Sequence, residues 1–246
     1  MLVPSGAIAG AAVSAAALAD ILAELASGLP LPAAIATSTA TEARRISRVA
    51  VPRITTQADV SAIGMALVVA AQAVARAAQP RDAAPALYRT AARASAAVPV
   101  SASPALTRAY GLARALAAAV ETACLGEAFL AEARTAFADR RSAIEARDRI
   151  GVALDGATDR VAATLGQAIL AVLASVARET SGHLVRLSAD LQPVVRVDAQ
   201  RSFPSTAIAW TLYGDPARAD ELVQRNRCGT PLFMPSSIEA VSPGRS

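Results

Sequence analysis

The side chains able to do acid-base or nucleophilic chemistry at neutral pH are few and scattered. His183 is the one histidine in the 246-residue chain. Lying just after Gly182, it reads as the C-terminal cap of a helix. Cys124 and Cys228 belong to no CxxC pair, and with a single histidine they cannot assemble a recognisable zinc site. Glu127 and Glu132 are off the i, i+3 and i+4 spacings that turn two acids toward each other on a helix, and Asp155 with Asp159 has nothing beyond its helical spacing. No GxSxG, HExxH, P-loop or GxGxxG pattern occurs. The expectation is a protein that is not an enzyme, with no catalytic residue, no metal site and no cofactor.

What remains is the chemistry of contact. Four of the eight aromatic residues, Phe203, Trp210, Tyr213 and Phe233, fall in the last 44 residues. Large rigid side chains can fix one specific packing there. With Gly214, Asp215, Leu222 and Asn226 they form the expected module core or partner-docking set, divided between a small core and an exposed patch or wholly core. Trp210 is expected to close that core across Leu222 and the strand Ile238–Val241, with Arg218 on the exposed side of the neighbouring helix. A second contact chemistry is basic. All 24 basic residues are arginine, a total exclusion of lysine that points to genomic base composition. Net charge is +4, and the stretch from Glu42 to Arg114 holds ten arginines against Glu42, Asp59 and Asp82. Arg44, Arg45, Arg48 and Arg53 are its candidate basic surface. No compact basic run with stacking aromatics appears, so the reading lies between a solvated helical face and a DNA-associated one.

These residues must be positioned by mostly helical elements. Apolar residues make up 54% of the chain, much of it alanine, which buries little area per residue, so a helical body would pack closely yet weakly. The first nineteen residues carry no charge. Pro4, Gly6 and Gly10 interrupt them and no basic segment precedes them, so a packed helix or flexible arm is expected rather than a membrane anchor or signal. Prolines at 30, 32, 52, 80, 85, 99 and 104 punctuate the first half. Helices are expected over about Ala11–Ser27, Gln57–Ala78 and Pro85–Ala97. A long one should open at Ser103-Pro104 and run through Arg149 or on to Leu154, weakened locally at Gly111, Gly126 and Gly151. Val161, Leu165, Ile169, Val172 and Val176 form one apolar stripe, suited either to a hairpin turning near Asp155-Gly156 or to a coiled-coil contact with another subunit. Beyond it come a short β-branched strand at Pro193–Val197, a helix from Ser205 ending at Gly214, an N-cap at Asp215 before Pro216, a helix to about Asn226 and a strand at Ile238–Val241. The fold class expected is mainly α: an Ala-rich helical region over 1–103, a helical hairpin or coiled-coil-like region over 104–182, and a small strand-helix-helix-strand module over 190–246.

That order, with Tyr213-Gly214 ending one helix and Glu221-Leu222 and Asn226 on the next, resembles a LysM domain. The run Tyr213-Gly214-Asp215-Pro216-Ala217-Arg218-Ala219-Asp220-Glu221, then Arg225-Asn226, Pro231 and Phe233-Met234-Pro235, is similar to the C-terminal end of the Mu-like phage DNA circularisation protein family. With Arg141–Asp148 and the helix from Val161 to Arg178, the resemblance spans roughly Ala131–Pro243. It implies a structural protein in or near the baseplate of a contractile phage tail. Such a protein would be assembled in the host cytoplasm, held in the virion in several copies by other tail and baseplate proteins, and without a membrane anchor. The chain is expected to lack the family's separate N-terminal domain and its handling of DNA ends, although DNA remains an alternative partner. Ser236-Ser237 stands where the family has a glycine-containing turn. The loop Ala199–Phe203 lacks the Gly-Asp-Thr element of glycan-binding LysM modules, which weighs against the further alternative of peptidoglycan binding.

Overall fold

Alanine and leucine at the helical period make the first helix. In α1 (Ser5–Ser27), Ala11, Ala15, Leu18, Leu22 and Leu25 recur at spacings of four and three, and all are buried. The computed structural model describes residues 5–243, and the part of the uncharged N-terminal stretch before Ser5 lies outside them. Gly10 does not interrupt this helix. A Cβ there would overlap the Tyr110 ring, so the glycine is the place where a neighbouring segment lies flat on α1.

The elements that follow are α2 (Ala33–Arg45), α3 (Gln57–Ala77), α4 (Pro80–Ala96), α5 (Pro104–Ala109), α6 (Gly111–Arg134), α7 (Arg140–Leu165) and α8 (Gln167–Asp190). After them come β1 (Val194–Asp198), α9 (Ser205–Tyr213), α10 (Ala219–Arg225) and β2 (Ser237–Val241). The chain is therefore mainly α with a small C-terminal module of strand, two helices and strand. Helix α2 continues into a π-helical turn, Ile46–Ala50, and a 3-10 turn, Val51–Arg53. A reciprocal cap starts α3: Thr56 accepts from the Asp59 amide, and the Asp59 carboxylate accepts from the Thr55 and Thr56 amides. Those backbone donors hold the Asp59 carboxyl at about 2.

Several expected boundaries are corrected. Helix α4 begins at Pro80 and passes through Pro85, which sits exposed early in the helix, where a missing N–H removes a single intrahelical bond. The long helix expected from Ser103 is broken at Tyr110 and again between Arg134 and Arg140. Ser103 has the N-cap position, but its side chain makes no cap bond. The turn expected near Asp155-Gly156 lies instead at Gly166, whose φ of +89° favours glycine, while Gly156 stays inside α7. The expected stripe is also displaced. Ile169 and Val172 are exposed, and the buried line of α8 is Leu173, Ala177, Thr180 and Leu184. Helix α8 runs on through Gly182, so His183 is an exposed mid-helix residue and not a cap.

Two compact units divide the chain. The larger takes in the chain up to Ala136 with Asp148–His183, the smaller Phe137–Arg147 with the chain from Leu184. In the larger unit α6 packs against α1, α3 and α4 and is buried on most of its surface, from Ala113 to Glu132. Three carboxylates are buried along it. Glu121 takes Arg160 of α7 at 2.6 Å, Glu127 takes Arg76 of α3 at 3.0 Å, and Glu132 takes Arg149 of α7 at 2.9 Å. The two α7 partners are as far apart in sequence as their two glutamates, in the opposite order. The pairs therefore fix α7 antiparallel to α6 over three helical turns. Among the described residues three helices, Gly6–Ser27, Gln57–Ala77 and Gln167–Asp190, are long and apolar enough to cross a membrane by length and composition. The first two bury a continuous stripe inside the larger unit.

Candidate functional site

The smaller unit builds its core from spacing. On α9, Ser205, Ile208 and Ala209 are buried and Leu212 is partly so, the i, i+3, i+4, i+7 face of a helix. They meet Ala219 and Leu222 from α10, Met234, and Ile238 and Ala240 from β2, with Val197 of β1 and Tyr213 packed against them. The strands pair antiparallel, Val194 opposite Val241 through Asp198 opposite Ser237. Gly214 ends α9 in the left-handed conformation, φ +68°, its N–H donating to the Trp210 carbonyl. Asp215 caps the next turn by accepting from the Ala217 amide at 2.9 Å.

The core closes without Trp210, contrary to expectation. Trp210 is two residues on from Ile208 and points away from the buried face, and it is 63% exposed. Phe233 is 71% and Phe203 39% exposed, with Leu232 beside them at 60%. Phe203 and Phe233 lie on adjoining segments joined by backbone bonds, Met234 N–H to Phe203 O and Ser205 N–H to Pro231 O. Arg201 lies 5.9 Å from the Phe203 ring. Tyr213 is the aromatic that divides, half-buried under the Arg218 guanidinium, which stacks 3.6 Å from its ring centre and pairs with Glu221. Arg218 is thus a cover for Tyr213, not a free residue on the exposed side. Burial, and then the nearby Glu221 charge, raise the Tyr213 phenol.

The roles of three sets of polar residues in this unit were not read from the sequence, although Asn226 was in the expected core or docking set. Asn226 spans α10 and β2: its Oδ1 accepts from the Glu239 amide and its Nδ2 donates to the Glu239 and Leu222 carbonyls. Asp139 is buried and paired with Arg225 at 3.0 Å. Burial opposes its ionisation, but the bonds from Ser142 and Arg225 outweigh it and hold its carboxyl below the usual range. Arg141 bonds Glu239, and Arg140 donates to the Ser188, Ala189 and Leu191 carbonyls at the end of α8. The one legible signal for these was an Arg–Asn pair at a helix end.

Elsewhere, Arg44, Arg48 and Arg53 are exposed on the α2 end and its π and 3-10 continuation, with no ion-pair partner among the described residues. Arg45 is committed to Glu42 at 2.6 Å. Cys124 is fully buried, and burial, then the charges of Glu127 and Glu121, push its thiol up to about 12. Its thiolate, the nucleophilic form, is scarce at neutral pH. Among the described residues no group of three or more His, Cys, Asp or Glu is placed to hold a metal ion. The chemistry on offer is a surface of large side chains on a closed core. No model of a known protein family matches the chain, and no curated protein matches it.

Proposed function

We propose that this chain is a structural subunit of a contractile phage or phage-like tail, placed in or near the baseplate, whose C-terminal module docks a neighbouring tail protein. The observation that carries the docking role is the exposure of Trp210, Phe203 and Phe233 on a module whose core is complete without them. Exposed aromatic anchors are what hot spots of protein interfaces are made of. The helical body has unpartnered apolar positions of its own, Met65 and Val69 one turn apart on α3 and Ile169 and Val172 on α8, suited to bracing against other subunits. The tail context comes from the sequence resemblance over Ala131–Pro243. In a producing cell lacking the gene, electron microscopy should find no complete contractile tails. The wild-type chain should restore them, and a Trp210→Ala, Phe233→Ala variant should not. Complete tails without the gene would end this reading.

A second reading is DNA association, favoured by the unpaired Arg44, Arg48 and Arg53. Affinity for duplex DNA would then fall with salt at a log–log slope of about −0.9 per phosphate neutralised. Absence of binding at low salt would remove it.

A further inference from the structure

The two outer edges of the β1–β2 ribbon are finished differently. Ala199 N–H bonds the Ser236 carbonyl and Ser242 N–H bonds the Pro193 carbonyl, so the odd-numbered residues of β1 face β2. In an antiparallel pair the alternate residues point the other way, so the N–H and C=O groups of Val194, Arg196 and Asp198 face outward. On β2 the outward residue at the middle of the strand is Glu239, and the Asn226 amide bonds both its N–H and its C=O as a third strand would. Nothing does this for β1. Among the described residues no group bonds the outward backbone of Val194, Arg196 or Asp198. Over the ribbon face that carries Val194 and Arg196 lies an open groove of about 580 Å³, lined also by Glu239 of β2 and by Arg141, Ile144 and Glu145 of α7. An unpaired edge is a template for a further strand.

We propose that the open edge of β1 pairs with β1 of a second copy of this chain, antiparallel across a two-fold axis, to give a continuous four-stranded sheet. Charge selects both the occupant and the register. With the axis at Val197, Arg196 stands opposite Asp198 of the second copy and Asp198 opposite its Arg196. Four backbone hydrogen bonds join these two pairs. Moving the axis to Arg196 sets two arginines face to face, moving it to Asp198 sets two aspartates so, and moving it to Val195 leaves Arg196 and Asp198 only their 3.7 Å pair within the chain, with no charge opposite either in the second copy. Directly opposed unlike charges stabilise a sheet and like charges weaken it. On the other face, the partly exposed Val195 and half-buried Val197 gain cover. This pairing uses neither Trp210 nor Phe233 and is independent of the tail reading.

The experiment is sedimentation equilibrium of the full chain up to about 1 mM, since an interface this small is weak. The wild-type mass should rise from one chain to two. Arg196→Asp and Asp198→Arg, each of which places like charges opposite one another, should stay at one chain. An equimolar mixture of the two variants should regain the two-chain mass, because each then faces its complement. Arg196→Pro removes an outward N–H and the side-chain bond to Ser237 but leaves the backbone ladder to β2 intact, and should also stay at one chain. A monomeric wild type, reversal variants or Arg196→Pro that still pair, or a mixture that stays monomeric would each overturn the proposal.

Discussion

At the scale of the residue, burial face decides what size cannot. Trp210 is the largest side chain of the module, yet Ser205, Ile208, Ala209 and Leu212 already occupy the inward face of α9. Trp210→Ala should therefore change stability by no more than about 0.5 kcal/mol, while Leu222→Ala, at a fully buried position, should cost about 2–5 kcal/mol. Urea denaturation of the two variants separates these outcomes. The inward spacing on α9 was legible in the sequence, and the preference for an aromatic core obscured it. Gly214 and Asp215 were legible because their roles depend on local backbone geometry. Asp139 was not, since its partner Arg225 lies 86 residues on. Its pH signature follows from direction alone: a carboxyl held below its ordinary value adds stability above the unfolded value of about 3.9, lost as pH falls through the folded one. Wild type should exceed Asp139→Asn in melting temperature at pH 7, and the gap should narrow as the buffer is taken below about pH 4.

At the scale of the element, the fold rests on how α7 is held against α6. Each buried glutamate meets an arginine that remains about half exposed, so removing only the arginine strands a carboxylate in the core. Arg149→Ala should cost about 3–5 kcal/mol, whereas Glu132→Met with Arg149→Met should be close to neutral. A double-mutant cycle by chemical denaturation measures the difference, and equal costs for the two would contradict the burial of Glu132. The existence of α3 was legible between Pro52 and Pro80, and its Thr56–Asp59 cap accounts for where it starts. The α6–α7 break was missed because Thr135–Asp139 carries no glycine or proline. The α7–α8 turn was misplaced because Gly156 and Gly166 look alike in sequence, and what tells them apart is the positive φ at Gly166. An exposed helical glycine costs only about 1 kcal/mol, which the packing of α7 absorbs at Gly156.

At the scale of the whole molecule, the C-terminal unit is not contiguous in sequence, and this bears on what can fold alone. The residues from 190 onward contain β1, α9, α10 and β2 and the whole apolar core of the module. They do not contain Asp139, which neutralises the largely buried Arg225, nor Arg141, which holds Glu239 on β2. Arg140, whose N–H meets the Gln192 carbonyl just before β1, is also missing. Without Asp139 the largely buried Arg225 keeps only its longer pair, to Glu221 at 3.5 Å; breaking a buried pair costs up to about 3–5 kcal/mol, a large part of the roughly 5–15 kcal/mol available to a domain. A fragment of residues 190–246 should therefore lack a cooperative melt, and one of residues 137–246, which restores all three arms, should have it. Thermal melts followed by near-ultraviolet circular dichroism, where Trp210 and Tyr213 report, test this directly. A sharp transition in the shorter fragment at the temperature of the longer one would mean that the core alone is sufficient and that the arms from Phe137–Arg147 add nothing to its folding.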